Sequence, residues 1–505
     1  MIINDIIILS GKGDDAMNLV WSNLLLAKRH RDKVTVERRE NDNRSQFKRD
    51  FDTVCNSTIL RRLQDKAQVF PLESEDYART RLTHSIEVMS IAESIGMYAV
   101  RVINNHEQKY ISSSKKIKET KMLINDIPTI LKTVALLHDM GNPPFGHLGE
   151  QIIGDWFKSN LKRLSFNSDR ILSYKSTGDV NDNLEHILTG DFAEDLKNFD
   201  GNAQLFRLVN KLSLVVDENG MNLTYPVMAS FIKYPTASSE INKNILSKKK
   251  VGYFTAEKSI YQDINQELKL GGARHPLAYL LEAADDIAYL TADIEDAHHK
   301  GIITRSTIEK AFENKKDDEF INTILESMKE YQNKAEEMGY DDVDNYVMHR
   351  TRVLIKGLMI DAVCYAFDNS YVQIMKGDFN NELLKCSKAN KMSKILREIE
   401  KEKIYYSSQI LTNKTRAFSV LQCLLDTYVP AIINWNPRND EGKDTSNNLI
   451  YQSFSKNYKY ICDLANNKTD DEKRKIYNKL LLVTDQISGM TDRHAMTAYR
   501  MIKPK

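Results

Sequence analysis

The segment PTILKTVALLHDM, residues 128–140, constrains this chain more than any other. It is apolar almost throughout, opens on Pro128 and is stopped by Gly141 and Pro143. Proline just inside a helix start and glycine just past its end mark the two limits of a helix. A helix this apolar has little surface to offer water, so its place is inside a helical fold. Its last polar residues, His138 and Asp139, then lie at the bottom of a pocket or deep in the core.

The rest of the chain supports an all-α fold. Only 20 glycines and 10 prolines in 505 residues leave few breakers. Residues 83–104 carry Val88, Ile91, Ala92, Ile95, Ala99 and Val102 at the three-and-four spacing of one helical face. Thr83 is the expected N-cap of that helix, and His84 falls on its inward face. Residues 276–299 form a long helix between Pro276 and Gly301. Asp285, Tyr289 and Asp293 stand on it at i, i+4 and i+8, beside an apolar stripe of Leu277, Leu281, Ala284 and Ala288. Further helices are expected at 347–368, 381–403 and 414–429. Polar, breaker-rich stretches at 158–184, 235–250, 312–318, 436–447 and 466–473 read as surface loops.

These elements divide into an N-terminal segment, 1–49, a helical catalytic domain, 50–310, and a helical C-terminal region, 311–505, for oligomerisation or regulation. Residues 1–16 fit no helix pattern, while MNLVWSNLLLAKRHRD from Met17 reads like a protein start, so translation is expected to begin at Met17.

Lys+Arg 71 against Asp+Glu 70 gives a net charge of +1, which argues against nucleic acid as the main ligand. Five scattered cysteines without a CxxC pair argue against a disulfide framework or zinc ribbon and suit the cytoplasm. No apolar run approaches the roughly 20 residues of a membrane span. Ile6 to Leu9 is too short, and lacks the basic start, for a secretory signal.

His138 and Asp139 side by side at a helix end can serve one metal ion, with His84 and Asp285 from elsewhere. Imidazole nitrogen with carboxylate oxygen suits manganese, iron, cobalt, nickel or zinc, with magnesium also possible. His106, His186, His298 and His299 lack such settings and read as solvated or structural. The order His, His-Asp, distant Asp resembles the signature of the HD superfamily of metal-dependent phosphohydrolases.

Seven stretches together resemble the bacterial deoxyguanosine triphosphate triphosphohydrolases, the dGTPase branch of that superfamily. They are RRLQDKAQVFPL (61–72), RTRLTHSIEV (79–88), LLHDMGNPPFGHLGE (136–150), FDGNAQLFRL (199–208), the Lys233-Tyr234 pair, EAADDIAYLTADIEDA (282–297) and QISGMTD (486–492). The first departs from the family's usual KTQVFP by reading Lys66-Ala67-Gln68, and residues 300–480 match less closely. The resemblance implies an all-α HD fold and hydrolysis of dGTP to deoxyguanosine and inorganic tripolyphosphate. Broad hydrolysis of deoxynucleoside triphosphates, regulated by a nucleotide or single-stranded DNA, is the alternative it leaves.

By matching position, the resemblance makes His84, His138, Asp139 and Asp285 the ligands of a divalent metal: manganese, magnesium or cobalt. His147 and Glu150, at i and i+3, form the expected catalytic pair. His147 would protonate the leaving 5′ oxygen or activate water, with Glu150 orienting it. Lys233, Tyr234, Asn202 and Lys250 supply cations and donors for a triphosphate. Gln68 and Asp293 are expected to bind a 3′ hydroxyl, and the Tyr289 ring to occupy the space a 2′ hydroxyl would need. Arg61, Arg62, Arg79 and Arg81 either reach phosphates or pair with carboxylates. The resemblance also implies a homo-oligomer, often a hexamer; no membrane partner is expected, since the sequence has no long apolar run.

Overall fold

In a computed structural model the fold is described for residues 18–31, 42–69, 79–107, 121–167, 170–174, 183–214 and 217–503. Residues 1–17, with the expected start at Met17, and residues 70–72 of the first matching block lie outside the described residues. The principal helices are α1 (Gln46–Cys55), α2 (Arg81–Glu107), α3 (Ile127–Leu137), α4 (Gly146–Asn160), α5 (Gly201–Arg207) and α6 (Tyr225–Phe231). They continue with α7 (Pro276–His299), α8 (Val343–Lys376), α9 (Asn390–Ile399), α10 (Ser408–Asn434), α11 (Glu472–Ser488) and α12 (Asp492–Ile502). The fold is all-α. One antiparallel hairpin, Leu164–Asn167 with Arg170–Tyr174, is the single sheet among the described residues, and it lies where a loop was expected.

The apolar helix α3 is the axle of the N-terminal half. Ile127, Ile130, Leu131, Val134, Ala135 and Leu137 are completely buried, because α1, α2, α6 and α7 surround it. It is shorter than its sequence suggests: residues 138–140 form a turn. The His138 ring accounts for the stop, since Nδ1 donates to the Ala135 carbonyl at 2.6 Å and satisfies an orphan acceptor of the last turn. Helix α2 starts at Arg81, so Thr83 is not its N-cap. Thr80 and Thr83 bond reciprocally instead: Thr83 N–H donates to Thr80 Oγ1 at 3.3 Å, and Thr80 N–H donates to Thr83 Oγ1 at 3.0 Å.

Helix α7 has the limits read from the sequence, and its cap is a histidine. His275 Nδ1 accepts from Leu277 N–H, and Nε2 donates to the Leu24 carbonyl, both at 3.2 Å. Burial pushes this imidazole down to about 4, against a favourable bond to Leu24. A histidine neutral when folded and protonated when unfolded contributes stability that is present above about pH 6.5 and lost as pH falls toward 4. His275→Asn keeps a capping acceptor without the titration. Urea unfolding at pH 7 and pH 5 is expected to show the wild type losing more stability on acidification than this variant; equal losses would refute it.

The C-terminal helices differ in length and continuity from the stretches their periodicity marks. The 347–368 stretch is part of the longer α8, and 414–429 is part of α10. The 381–403 stretch breaks into a short helix at Leu383–Cys386, α9 and a π-helical turn at Glu400–Ile404. Within α10, residues Ile410–Asn434 are long and apolar enough to cross a membrane, at a mean hydropathy of 1.3, which the sequence reading overlooked. That helix packs against α4, α11 and α12, and 61% of its most apolar window is buried inside the protein.

Candidate active site

Packing α2, α3 and α7 together gathers three polar side chains from distant positions. His84 lies in the first turn of α2, His138 ends α3, and Asp285 projects from the third turn of α7. Nε2 of His84 and Nε2 of His138 lie 3.0 and 3.4 Å from the same oxygen, Asp285 Oδ1. One donor atom of each residue falls within 4.8 Å of the other two. His138 Nδ1 is committed to Ala135, which leaves Nε2 as the nitrogen that could meet a metal. That buried Nε2 approaches Asp285 without a well-aligned hydrogen bond, as suits a nitrogen that could bind a cation. The donor set therefore fits a divalent metal.

Asp139 stands beside this cluster, with Oδ2 at 3.6 Å from His138 Nε2. Its oxygens also accept from Arg81 at 2.7 Å and Asn142 at 2.5 Å. Burial raises the Asp139 carboxyl, but Arg81 and His138 outweigh it and hold the group down at about 2. Burial likewise lowers His138, and Asp139 and Asp285 outweigh it to bring the imidazole up to about 9.

The turn after Asp139 aims the next two residues. Gly141 packs so closely on α5 that a Cβ there would stand 2.1 Å from the Gly201 carbonyl oxygen. Phe145 and Gly146 are both left-handed, at φ 65° and 60°, and swing the chain into α4. His147 and Glu150 then stand three residues apart near the start of α4. Glu150 Oε2 accepts from His147 Nδ1 at 2.9 Å, and Oε1 accepts from Gly201 N–H at 2.9 Å. Burial raises Glu150, but His147 and Lys250 keep it ionised, at about 2. The His147 side chain is 77% exposed and lines the cleft, so Nε2 is free to meet a ligand. Glu150 raises its pKa, chiefly through charge.

The cleft measures about 180 Å³ and is lined by His138, Asp139, His147, Asn202, Lys233, Tyr234, Lys250 and Asp285, among others. Lys233 Nζ lies 3.0 Å from Glu282, which also pairs with the buried Arg274 at 2.8 Å. Lys250 Nζ donates to Asp200 at 2.7 Å. Asp200 accepts from the Asn202 amide at 2.6 Å as well, so one carboxylate orients a cation and an amide. His84 and Glu150 reach the cleft through their partners.

Gln68, Tyr289 and Asp293 do not line it. The Tyr289 hydroxyl contacts that of Tyr405. Asp293 is fully buried, and burial with the nearby Glu400 pushes its carboxyl well above the usual range. The arginine cluster resolves unevenly. Arg79 pairs with Glu87, Glu295 and Asp296, Arg62 donates to Tyr458 and Gly489, and Arg81 reaches Asp139. Arg81 takes the carboxylate partner among the two the sequence left open, and Asp200 and Glu282 are supporting residues that the sequence reading did not assign. Glu282 stands three residues before Asp285 on one helix, a spacing that could have revealed it.

Residues 81–185 match the HD domain family. A deoxyguanosinetriphosphate triphosphohydrolase-like protein of Listeria monocytogenes is 37% identical over 484 residues, covering 95% of this chain and 99% of the relative. A protein of the same description from Synechocystis sp. is 28% identical, covering 96% of this chain and 99% of its own. A deoxyguanosinetriphosphate triphosphohydrolase of Serratia proteamaculans is 28% identical, covering 90% and 93% respectively.

Proposed function

The chain belongs to the deoxyguanosinetriphosphate triphosphohydrolase family of HD-domain hydrolases, and from that premise we propose that it hydrolyses dGTP to deoxyguanosine and inorganic tripolyphosphate. The observation that carries this reading is the placement of His147. It stands in one cleft with His138 and Asp285 of the three-residue cluster and with Lys233 and Lys250.

His84, His138, Asp139 and Asp285 would hold a divalent cation, which supplies Lewis acidity toward a phosphoryl oxygen. Lys233 and Lys250 would exchange their carboxylate partners for phosphate oxygens, and Asn202 and Tyr234 would add donors. At about 180 Å³ the cleft is smaller than the roughly 300–1,000 Å³ of sites that enclose a whole ligand. It suits the triphosphate, and the sugar would extend toward Tyr289, one turn beyond Asp285, with Gln68 and Asp293 near its 3′ hydroxyl. His147 would deliver a proton from Nε2 to the leaving 5′ oxygen, because Glu150 favours the protonated ring.

A pH profile tests that assignment. A general acid loses activity as pH rises through its pKa. Glu150→Gln removes the charge that raises His147, so the alkaline limb of kcat is expected to move to lower pH. An unmoved limb, or activity that climbs through that range, would assign His147 another role.

The function itself is tested by incubating the protein with each dNTP and rNTP, plus manganese or magnesium, and resolving the products. Deoxyguanosine with tripolyphosphate from dGTP is the expected result. Equal turnover of all four dNTPs would replace the dGTP preference with broad specificity. Pyrophosphate with a monophosphate, or no turnover, would overturn the reading.

A further inference from the structure

The turn from Gly141 to Gly146 places Asn142 against Asp139 and launches α4, which carries His147 and Glu150. Its backbone is held from the far end of the chain. Asp492, the first residue of α12, is buried. Its Oδ1 accepts from Phe145 N–H at 2.9 Å, and its Oδ2 accepts from Ala67 N–H at 3.0 Å. Phe145 is left-handed, a conformation bulky side chains rarely adopt and keep only where their surroundings impose it.

A second anchor lies beside the first. The buried Lys66 Nζ donates to the Asn142 carbonyl at 2.5 Å and to the Ser488 carbonyl at 2.8 Å, so one amine joins the turn to the end of α11. Arg81 closes the third side, with Nη2 at 2.3 Å from where a Cβ on residue 146 would stand. A small carboxylate thus meets the backbone N–H of Phe145, the first of the two left-handed residues at the start of α4.

We propose that Asp492 is a positioning residue for the reaction: it fixes Phe145 in its left-handed turn and so aims His147 into the cleft, with Lys66 as the second anchor. The α11–α12 segment is thereby part of the catalytic unit. The catalytic half of this inference rests on the role proposed for His147; the anchoring half does not.

The full-length protein and its Asp492→Ala and Asp492→Asn variants test both halves. Asp492→Ala leaves the Phe145 and Ala67 N–H groups without their acceptor, and Asp492→Asn keeps one acceptor oxygen. Misplacing a reacting group by about 1 Å costs on the order of 100-fold in rate, which is the loss of kcat expected for Asp492→Ala. KM and manganese affinity should stay unchanged, and Asp492→Asn should fall between. Hydrogen exchange of the peptide spanning residues 140–150 should accelerate in the same order, about tenfold or more for Asp492→Ala. Unchanged exchange in Asp492→Ala, or a loss of kcat without faster exchange, would overturn the proposal. Should Asp492→Ala fail to fold, Asp492→Asn decides by the same two readouts. A wild type that hydrolyses no nucleotide would defeat the functional reading alone, and the exchange comparison would still decide whether Asp492 anchors the turn.

Discussion

His147→Ala is expected to lower kcat for dGTP by about 10²–10⁴-fold, the range associated with a lost general acid, while manganese still binds. The two effects separate because His147 is not among the residues that share Asp285. Its ring stands in the open cleft and touches the protein through Glu150 at 2.9 Å. Removing it opens no cavity in the core, so thermal stability should hold. Steady-state kinetics and calorimetric manganese titration of the same preparation provide the check. Loss of manganese binding would make His147 a ligand. Full activity would remove it from the reaction.

Asp285→Asn is expected to have the largest effect on metal binding. Both imidazoles of the cluster address one oxygen of this carboxylate, Oδ1, at 3.0 and 3.4 Å. An amide of the same shape keeps the packing of α7 and loses the negative charge. Loss of an outer hydrogen-bond partner of a metal ligand costs roughly 10–100-fold in affinity, and loss of a ligand's charge should exceed that. Turnover should disappear with it. Manganese titration followed by calorimetry, with circular dichroism to confirm the helical fold, measures both. Affinity equal to the wild type would show that Asp285 is no ligand.

Much of this site is legible in the residues because each part is locally encoded. The helix carrying Asp285 has the limits that Pro276 and Gly301 imply. The i, i+3 spacing of His147 and Glu150 becomes a hydrogen bond, since residues three apart on a helix are neighbours. Thr83 shows where local signals mislead. Its hydroxyl does cap, but as the partner of Thr80 one turn earlier, and threonine at either position looks alike in sequence. Asp293 shares a helical face with Asp285, yet Glu400 and Tyr405 approach it from the C-terminal half, and no periodicity within α7 could announce them.

Periodicity and residue type are properties of a segment, so the chain's own order suffices for its all-helical class, its apolar central helix and the imidazole and carboxylate groups of the cleft. Partnership is a property of packing. Arg81 meets Asp139 across 58 positions, Lys66 meets Ser488 across 422, and Asp492 meets Phe145 across 347. Buried charges and backbone groups must find partners wherever the helices bring them. That requirement, met only once α2, α3, α11 and α12 converge, decides which carboxylate is neutralised, which lysine is steadied and which turn is held.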